Sequence, residues 1–402
     1  MNDDSKKSII IIGGGPSAMM MACTLNPNLF DVTIVEKGKA IGRKFLVAGK
    51  GGFNLTHSED INEMLQKYEA PTSILNAIQS FNNNDLRKWL SSIGIETYVG
   101  SSKRVFPVQG IKPIEVLQAV KKEMDKLGVT LITETEWIGD LISDGYITLL
   151  QKGKSINIKA DHVVFALGGG SWKVTGSDGK WLDKFDQLGI QTKSFQPSNC
   201  VMLVDWKESI KIHYGKPIKN IALSYSTHYK KGELLITEKG IEGSPAYALS
   251  YYVGTELMKG KSASVHIDLK PAFTLEKIQN TISSSNRKTT EILRKDLAFS
   301  SAAIAILKSR TSRKEFNNAK SLSQKIKSLA VTINGLGQLD EAISTVCGID
   351  PKAINDHFEL AKYPNHYTIG EMIDWNAPTG GYLLQACFSM GWYLAKRLNG
   401  QT

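Results

Sequence analysis

The sequence has only four cysteines, Cys23, Cys200, Cys347 and Cys387, and no two of them form a C-x-x-C pair. That spacing excludes thioredoxin-like redox exchange and a zinc site, and leaves buried, reduced thiols as the expectation. Long apolar runs are also missing: none reaches the roughly 20 residues that a membrane-spanning helix needs. The amino terminus, MNDDSKK, starts acidic and leads into a strand rather than a signal-peptide core, so a cytoplasmic chain without a membrane partner is expected. There is no H-E-x-x-H site, no Ser-His-Asp constellation, no internal repeat and no low-complexity linker. Metal chemistry and a protein nucleophile are therefore not expected.

What is present is a chain of 402 residues with 42% hydrophobic content, enough for two or three well-cored domains. Lysine and arginine outnumber aspartate and glutamate by 49 to 39, for a formal charge of +10. Basic residues gather at Lys308, Arg310, Arg313, Lys314, Lys320, Lys325 and Lys327, against Glu315 alone. No aromatic residues interleave them in a nucleic-acid pattern, so a solvated helical face is the first reading and RNA contact the alternative.

The stretch KKSIIIIGGGPSAMMMACTL joins an isoleucine-rich strand to a tight turn and a helix. Gly13-x-Gly15-x-x-Ala18 fits the dinucleotide fingerprint, in which the first glycine permits the turn, the second admits a pyrophosphate, and Ala18 allows close helix packing. Gly14, Pro16 and Ser17 complete the loop, and the helix amino terminus favours an anion. A second strand, DVTIVEKG, ends in Glu36, placed to accept hydrogen bonds from ribose hydroxyls, with Lys37 beside it. An acid there disfavours the 2′-phosphate of NADP. Met19 to Met21 are read as packing.

After Glu36 the chain runs KGKAIGRKFLVAGKGGFNLTH without a clear helix. A P-loop is excluded, because Gly42 stands too far from Gly49-Lys50 and Gly51 offers no magnesium-binding hydroxyl. A glycine-rich wrap around an extended cofactor explains the stretch better, which favours FAD over NAD. Gly42, Gly51 and Gly52 bring the backbone close. Arg43 and Lys44 supply cations to pyrophosphate or substrate, and Asn54 and Thr56 supply hydrogen bonds to ribityl or ring atoms. The carboxyl end offers a matching half: Gly370-Glu371 in a loop, with Glu371 suited to a ribityl hydroxyl, then Thr379-Gly380-Gly381 opening a helix from about Tyr382. A helix start at the flavin edge would stabilise the reduced ring.

On these residues the sequence resembles the aminoacetone-oxidase-like FAD-binding flavoproteins, a family that includes a bacterial bile-acid enone reductase. The likeness spans nearly the whole chain and rests on GRKFLVAGKGGFNLTHSE, RVFPVQGIKP, ALGGGSWKVTGSDGKW, EGSPAYALS, LDEAIST and GEMIDWNAPTGGYLLQACF. They match a subgroup without a settled substrate, and Gly52-Phe53-Asn54 stands where many relatives carry Arg-Cys-Asn. The resemblance implies an α/β fold: a glutathione-reductase-like, Rossmann-type FAD domain split by an inserted β-rich and helical domain. The expected parts are 1–190 and 331–402 for the FAD domain, 191–273 for the β-rich insertion and 274–330 for a helical segment. It also implies that Ala166 and Gly168 pass near the cofactor, and that the Trp137 segment lies by the adenine through its backbone.

The expected activity is hydride transfer between FAD and a small organic substrate, as an amine or alcohol oxidase or as an enone reductase fed by diffusible NADH or NADPH. The alternatives are a tRNA-modifying flavoenzyme and a non-catalytic flavin-binding protein. Catalytic residues stay unassigned: His57, Lys44, Lys50 and Asp374 are candidate proton donors or anchors, each with an ordinary structural reading beside it.

Overall fold

The computed structural model describes residues 6–47, 52–142 and 144–401. The chain divides into two units, Met1–Gln196 with Thr345–Thr402, and Pro197–Ser344.

In the first unit, Lys7–Ile12 is a strand whose four isoleucines, Ile9 to Ile12, are at most 2% exposed. Consecutive β-branched residues suit a strand covered on both faces. It pairs in parallel with Phe30–Val35 on one side and His162–Phe165 on the other. Thr130–Ile132 and His366–Thr368 add the two edges, completing a five-stranded parallel sheet. The chain thus brings a strand from near its carboxyl end into the amino-terminal sheet. The order reverses at Lys7–Ile12, and ligands of such sheets bind beyond the carboxyl ends of the strands at that point. Met19, Met20 and Met21, on the helix Pro16–Ala22, are buried as packing.

The stretch after Glu36 differs from expectation in having regular structure: a helix at Arg43–Val47 and a strand at Thr56–His57. Five helical residues are too few to leave a periodicity. The two-residue strand exists through distant pairing, Thr56 opposite Val105 and His57 opposite Arg104, in a small sheet with Arg104–Pro107 and Thr97–Val99.

The second unit is built on a seven-stranded sheet containing the hairpin Pro217–Tyr225 and His228–Ile236. Helices including Ser244–Met258, Leu275–Ser283, Ser301–Ser309 and Ala319–Lys327 share its core. Ile221 and Val331 of the strands and Ile278, Leu293, Ile306 and Ile326 of the helices belong to one buried cluster. The expected β-rich and helical parts are therefore one body. A boundary at 330/331 would cut the strand Leu329–Ile333, which pairs along its length with Ala263–Asp268; the unit ends instead at Ser344.

The basic segment is partly engaged within this unit. Lys308 lies over Phe316, Arg310 lies over Trp206, Lys325 pairs with Glu315, and Lys327 pairs with Asp268 at 2.6 Å. All four cysteines are free thiols, and burial pushes them up, Cys23 and Cys387 to about 12 and Cys200 and Cys347 to about 11. No helix among the described residues is long and apolar enough to cross a membrane.

Candidate functional site

The chain leaves Ile12 and turns at Gly13, whose φ is 105°. A Cβ on Gly13 would lie 2.3 Å from the Ala166 carbonyl oxygen, so the turn rests directly on the neighbouring strand end. Gly15, which caps the helix Pro16–Ala22, differs: a Cβ there would meet nothing within 4 Å. Its bare backbone faces open space in a cleft. Of the residues expected at a cofactor, Gly13, Gly14, Gly15, Pro16, Ser17, Glu36, Lys37, Gly42, Arg43, Lys44, Trp137, Ala166, Gly168, Gly370 and Glu371 line that cleft. Ala18 does not; it is fully buried, as its role in helix packing requires.

Glu36 is oriented by two main-chain donors, Gly14 N to Oε2 at 2.9 Å and Gly38 N to Oε1 at 2.7 Å. The carboxylate thereby ties the glycine turn to the next loop and keeps lone pairs for further donors. Trp137 lines the cleft, and its ring packs on Phe165 and Phe185 at centroid separations of 4.8 and 5.4 Å.

Three cations in the cleft already hold protein partners. Lys37 pairs with Asp178 at 3.0 Å, Arg43 Nη2 donates to the Val174 carbonyl at 2.6 Å, and Lys44 Nζ bonds Glu371 at 2.8 Å and Ser171 at 3.0 Å. Glu371 also accepts from Thr345 N at 3.0 Å. Lys37 and Arg43 thus fasten the segment Trp172–Asp178, of which Thr175 to Asp178 line the cleft, as a strap. Burial disfavours the charge of Asp178, but hydrogen bonding from Lys37 and from the Lys180 amide, with the lysine charge, outweighs it and holds the carboxyl below its ordinary value. Asp178 and Ser171 escaped the reading of the sequence, although both lie in the glycine-rich stretch that follows His162–Phe165.

A second cluster joins the loop before Thr56 to the turn before Tyr382. The Asn54 amide accepts from Gly381 N at 2.6 Å and donates to Gly52 O at 3.3 Å. Gly381 packs on the Thr56 main chain, and Thr56 Oγ1 donates to Gln385 Oε1 at 2.7 Å. Half-buried Thr379 and buried Gly380 lead into the helix Tyr382–Leu398. Tyr382 donates to buried Glu59 at 2.5 Å, and Tyr68 donates to the Tyr382 carbonyl at 2.8 Å. Burial first, then Glu59, raises the Tyr382 phenol above its ordinary range. Glu59 closes the motif GRKFLVAGKGGFNLTHSE and Arg104 opens RVFPVQGIKP, but neither was read as a site residue, and Tyr68 lies in no motif; distant pairing assembles them here. Gly51 and Lys50 lie outside the described residues.

The candidate proton donors are held by structure. His57 stacks on Tyr382 and its Nδ1 accepts from Glu59 N at 3.4 Å. Burial lowers its pKa against the opposing pull of Glu59, favouring neutral imidazole. Asp374 accepts from Cys347 N at 2.8 Å, and Lys44 is in the ion pair above.

Open space at Gly15, an oriented carboxylate at Glu36 and a polar glycine turn beyond the sheet suit a dinucleotide, and the fold and cleft define a Rossmann-type dinucleotide-binding protein. The model of the HI0933-like protein Rossmann domain family matches residues 7–397, and the chain belongs to that family of FAD-binding oxidoreductases. It is 25% identical over 386 residues to the ribosomal RNA dihydrouridine synthase of Haemophilus influenzae, covering 92% of this chain and 93% of that one. It is 24% identical over 381 residues to the 3-dehydro-bile acid delta(4,6)-reductase of Clostridium scindens, covering 91% and 92%. Among solved structures, the 3-ketosteroid-delta4-(5alpha)-dehydrogenase of Rhodococcus jostii RHA1 matches with a TM-score of 0.48 at 12% identity, covering 99% of this chain and 97% of that one.

Proposed function

We propose that this protein is an FAD-dependent reductase of a carbon–carbon double bond conjugated to a carbonyl, acting on a small organic substrate. The observation that carries this reading is the relationship, along more than nine-tenths of both chains, to a reductase named for two double bonds of an oxo-substituted bile acid. The cleft supports the cofactor half. Gly13 to Ser17 and Glu36 would hold the adenosine and pyrophosphate part, and Gly52, Asn54, Thr56 and Thr379 to Tyr382 would hold the ring end.

Bound FAD would supply the hydride that the substrate's β-carbon accepts, and would itself be reduced by diffusible NADH or NADPH. The chain's own residues position and shield. Asn54 fixes the Gly381 turn, the strap fastened by Lys37 and Arg43 restricts solvent at the cleft, and Lys44 orients Glu371 through their ion pair. A proton delivered to the α-carbon completes the addition of two electrons and two protons.

Anaerobic mixing tests the direction. Bleaching of the flavin by NADH or NADPH and recovery of its colour on adding a conjugated enone are expected. Bleaching by amines or alcohols, with none by either nucleotide, would establish an oxidase and discard this reading.

A second reading has a pyrimidine base of RNA as the substrate, since uracil too carries a double bond conjugated to a carbonyl. It is favoured by the name of the Haemophilus influenzae relative and by the +10 charge. It requires RNA binding that weakens steeply with salt. RNA that neither binds at low salt nor restores the colour of the reduced flavin rejects it.

A further inference from the structure

Arg104 opens the strand Arg104–Pro107, opposite His57 in the small sheet. Its side chain reaches the turn before the long helix: the position a Cβ would take on Gly380 lies 3.3 Å from Arg104 Nε, 3.8 Å from Nη2 and 3.7 Å from Tyr382 Cε2. This places the guanidinium against the same turn that Asn54 holds through Gly381. Lys37, Arg43 and Lys44 are engaged with Asp178, Val174 and Glu371. Arg104 is half-buried and its carbonyl accepts from Gly100 N at 2.8 Å, but its guanidinium forms no hydrogen bond or ion pair with any described residue. A partly buried guanidinium without an acceptor is costly, and its planar fork of five donors is suited to an oxygen that carries negative charge.

Reduction of a conjugated double bond creates such an oxygen. As the β-carbon gains the hydride, the carbon–carbon π bond breaks and its electron pair moves onto the carbonyl oxygen. When the α-carbon takes a proton, the pair returns and the carbonyl is restored. The flavin's pyrimidine ring presents a conjugated carbonyl of the same kind. We propose that Arg104 binds a conjugated carbonyl oxygen on which negative charge develops, at the ring end of the site, and so acts as a catalytic residue. This rests on the reductase reading above.

Two titrations of the FAD-loaded protein test it, in the native chain, Arg104→Gln and Arg104→Lys. Sulfite, which bleaches oxidised flavins whose surroundings stabilise negative charge, probes the flavin oxygen. The anion of 4-chlorophenol, followed by its charge-transfer colour, stands in for the substrate's enolate oxygen. Arg104→Gln is expected to weaken one or both by about tenfold or more, with partial recovery in Arg104→Lys, as for a charge-assisted contact. Weakening of sulfite alone assigns the flavin oxygen, and weakening of the phenolate alone assigns the substrate. Native affinities for both probes in both variants overturn the proposal, as does equal loss in Gln and Lys accompanied by loss of FAD. A native protein that takes up no FAD overturns the reductase reading itself.

Discussion

Gly381 lies against the main chain of Thr56 so closely that a Cβ on it would stand 2.4 Å from the Thr56 carbonyl carbon and 2.6 Å from its oxygen. The contact joins positions 325 residues apart, and no side-chain rotation relieves it, because both surfaces are backbone. Gly381 also has φ near 103°, where any other residue costs about 1–3 kcal/mol. Gly381→Ala is expected to lower the melting temperature and the FAD content of purified protein together. Native values of both would show that the two loops do not need this approach.

Gly13 and Gly15 separate packing from binding. Gly13→Ala drives a Cβ into Ala166 O and is expected to destabilise the protein with or without FAD. Gly15→Ala meets empty space, so the melting temperature of FAD-free protein is expected to stay native while FAD affinity falls by about tenfold or more, through lost backbone approach to the pyrophosphate. Native FAD affinity in Gly15→Ala would remove the pyrophosphate from this turn.

The Lys37–Asp178 pair makes the fastening of the strap pH-dependent. The folded carboxyl titrates below its unfolded value of about 3.9, so the pair's contribution is fully present above that value and is lost as pH falls through the lower folded value. FAD release, followed by the rise of free-flavin fluorescence, is expected to accelerate in that acid window in the native protein. In Asp178→Asn it is expected to be fast already at neutral pH. Equal release rates at pH 7 would mean that the strap does not retain the cofactor.

Tyr382→Phe would leave the buried Glu59 carboxylate without the phenol that donates to it, at a cost of about 1–3 kcal/mol. Tyr98→Phe, at a side chain 48% exposed, is the control and is expected to be near neutral. Adding Glu59→Gln should recover part of the loss, and a double-mutant cycle with zero coupling would deny that the two side chains act as a unit.

The first forty residues were legible because their information is local. Four isoleucines make a doubly covered strand, Gly13 and Gly15 make the turn, Ala18 packs, and Glu36 directly follows the next strand, 22 residues after Gly14. The helix beginning at Tyr382 was legible for the same reason. The helix Arg43–Val47 was missed because five residues are shorter than the period that would reveal them.

The sequence by itself determined the dinucleotide turn, the cofactor class and the need for its two ends to meet, since backbone conformation and strand pattern depend on neighbours along the chain. Only the tertiary structure decided that Asp178 fastens Lys37, that Glu371 takes Lys44, that Tyr382 rests on Glu59, and that Arg104 reaches Gly380. A charged side chain's partner depends on distances that close only when the sheet forms, and nothing in the spacing of these residues along the chain encodes them.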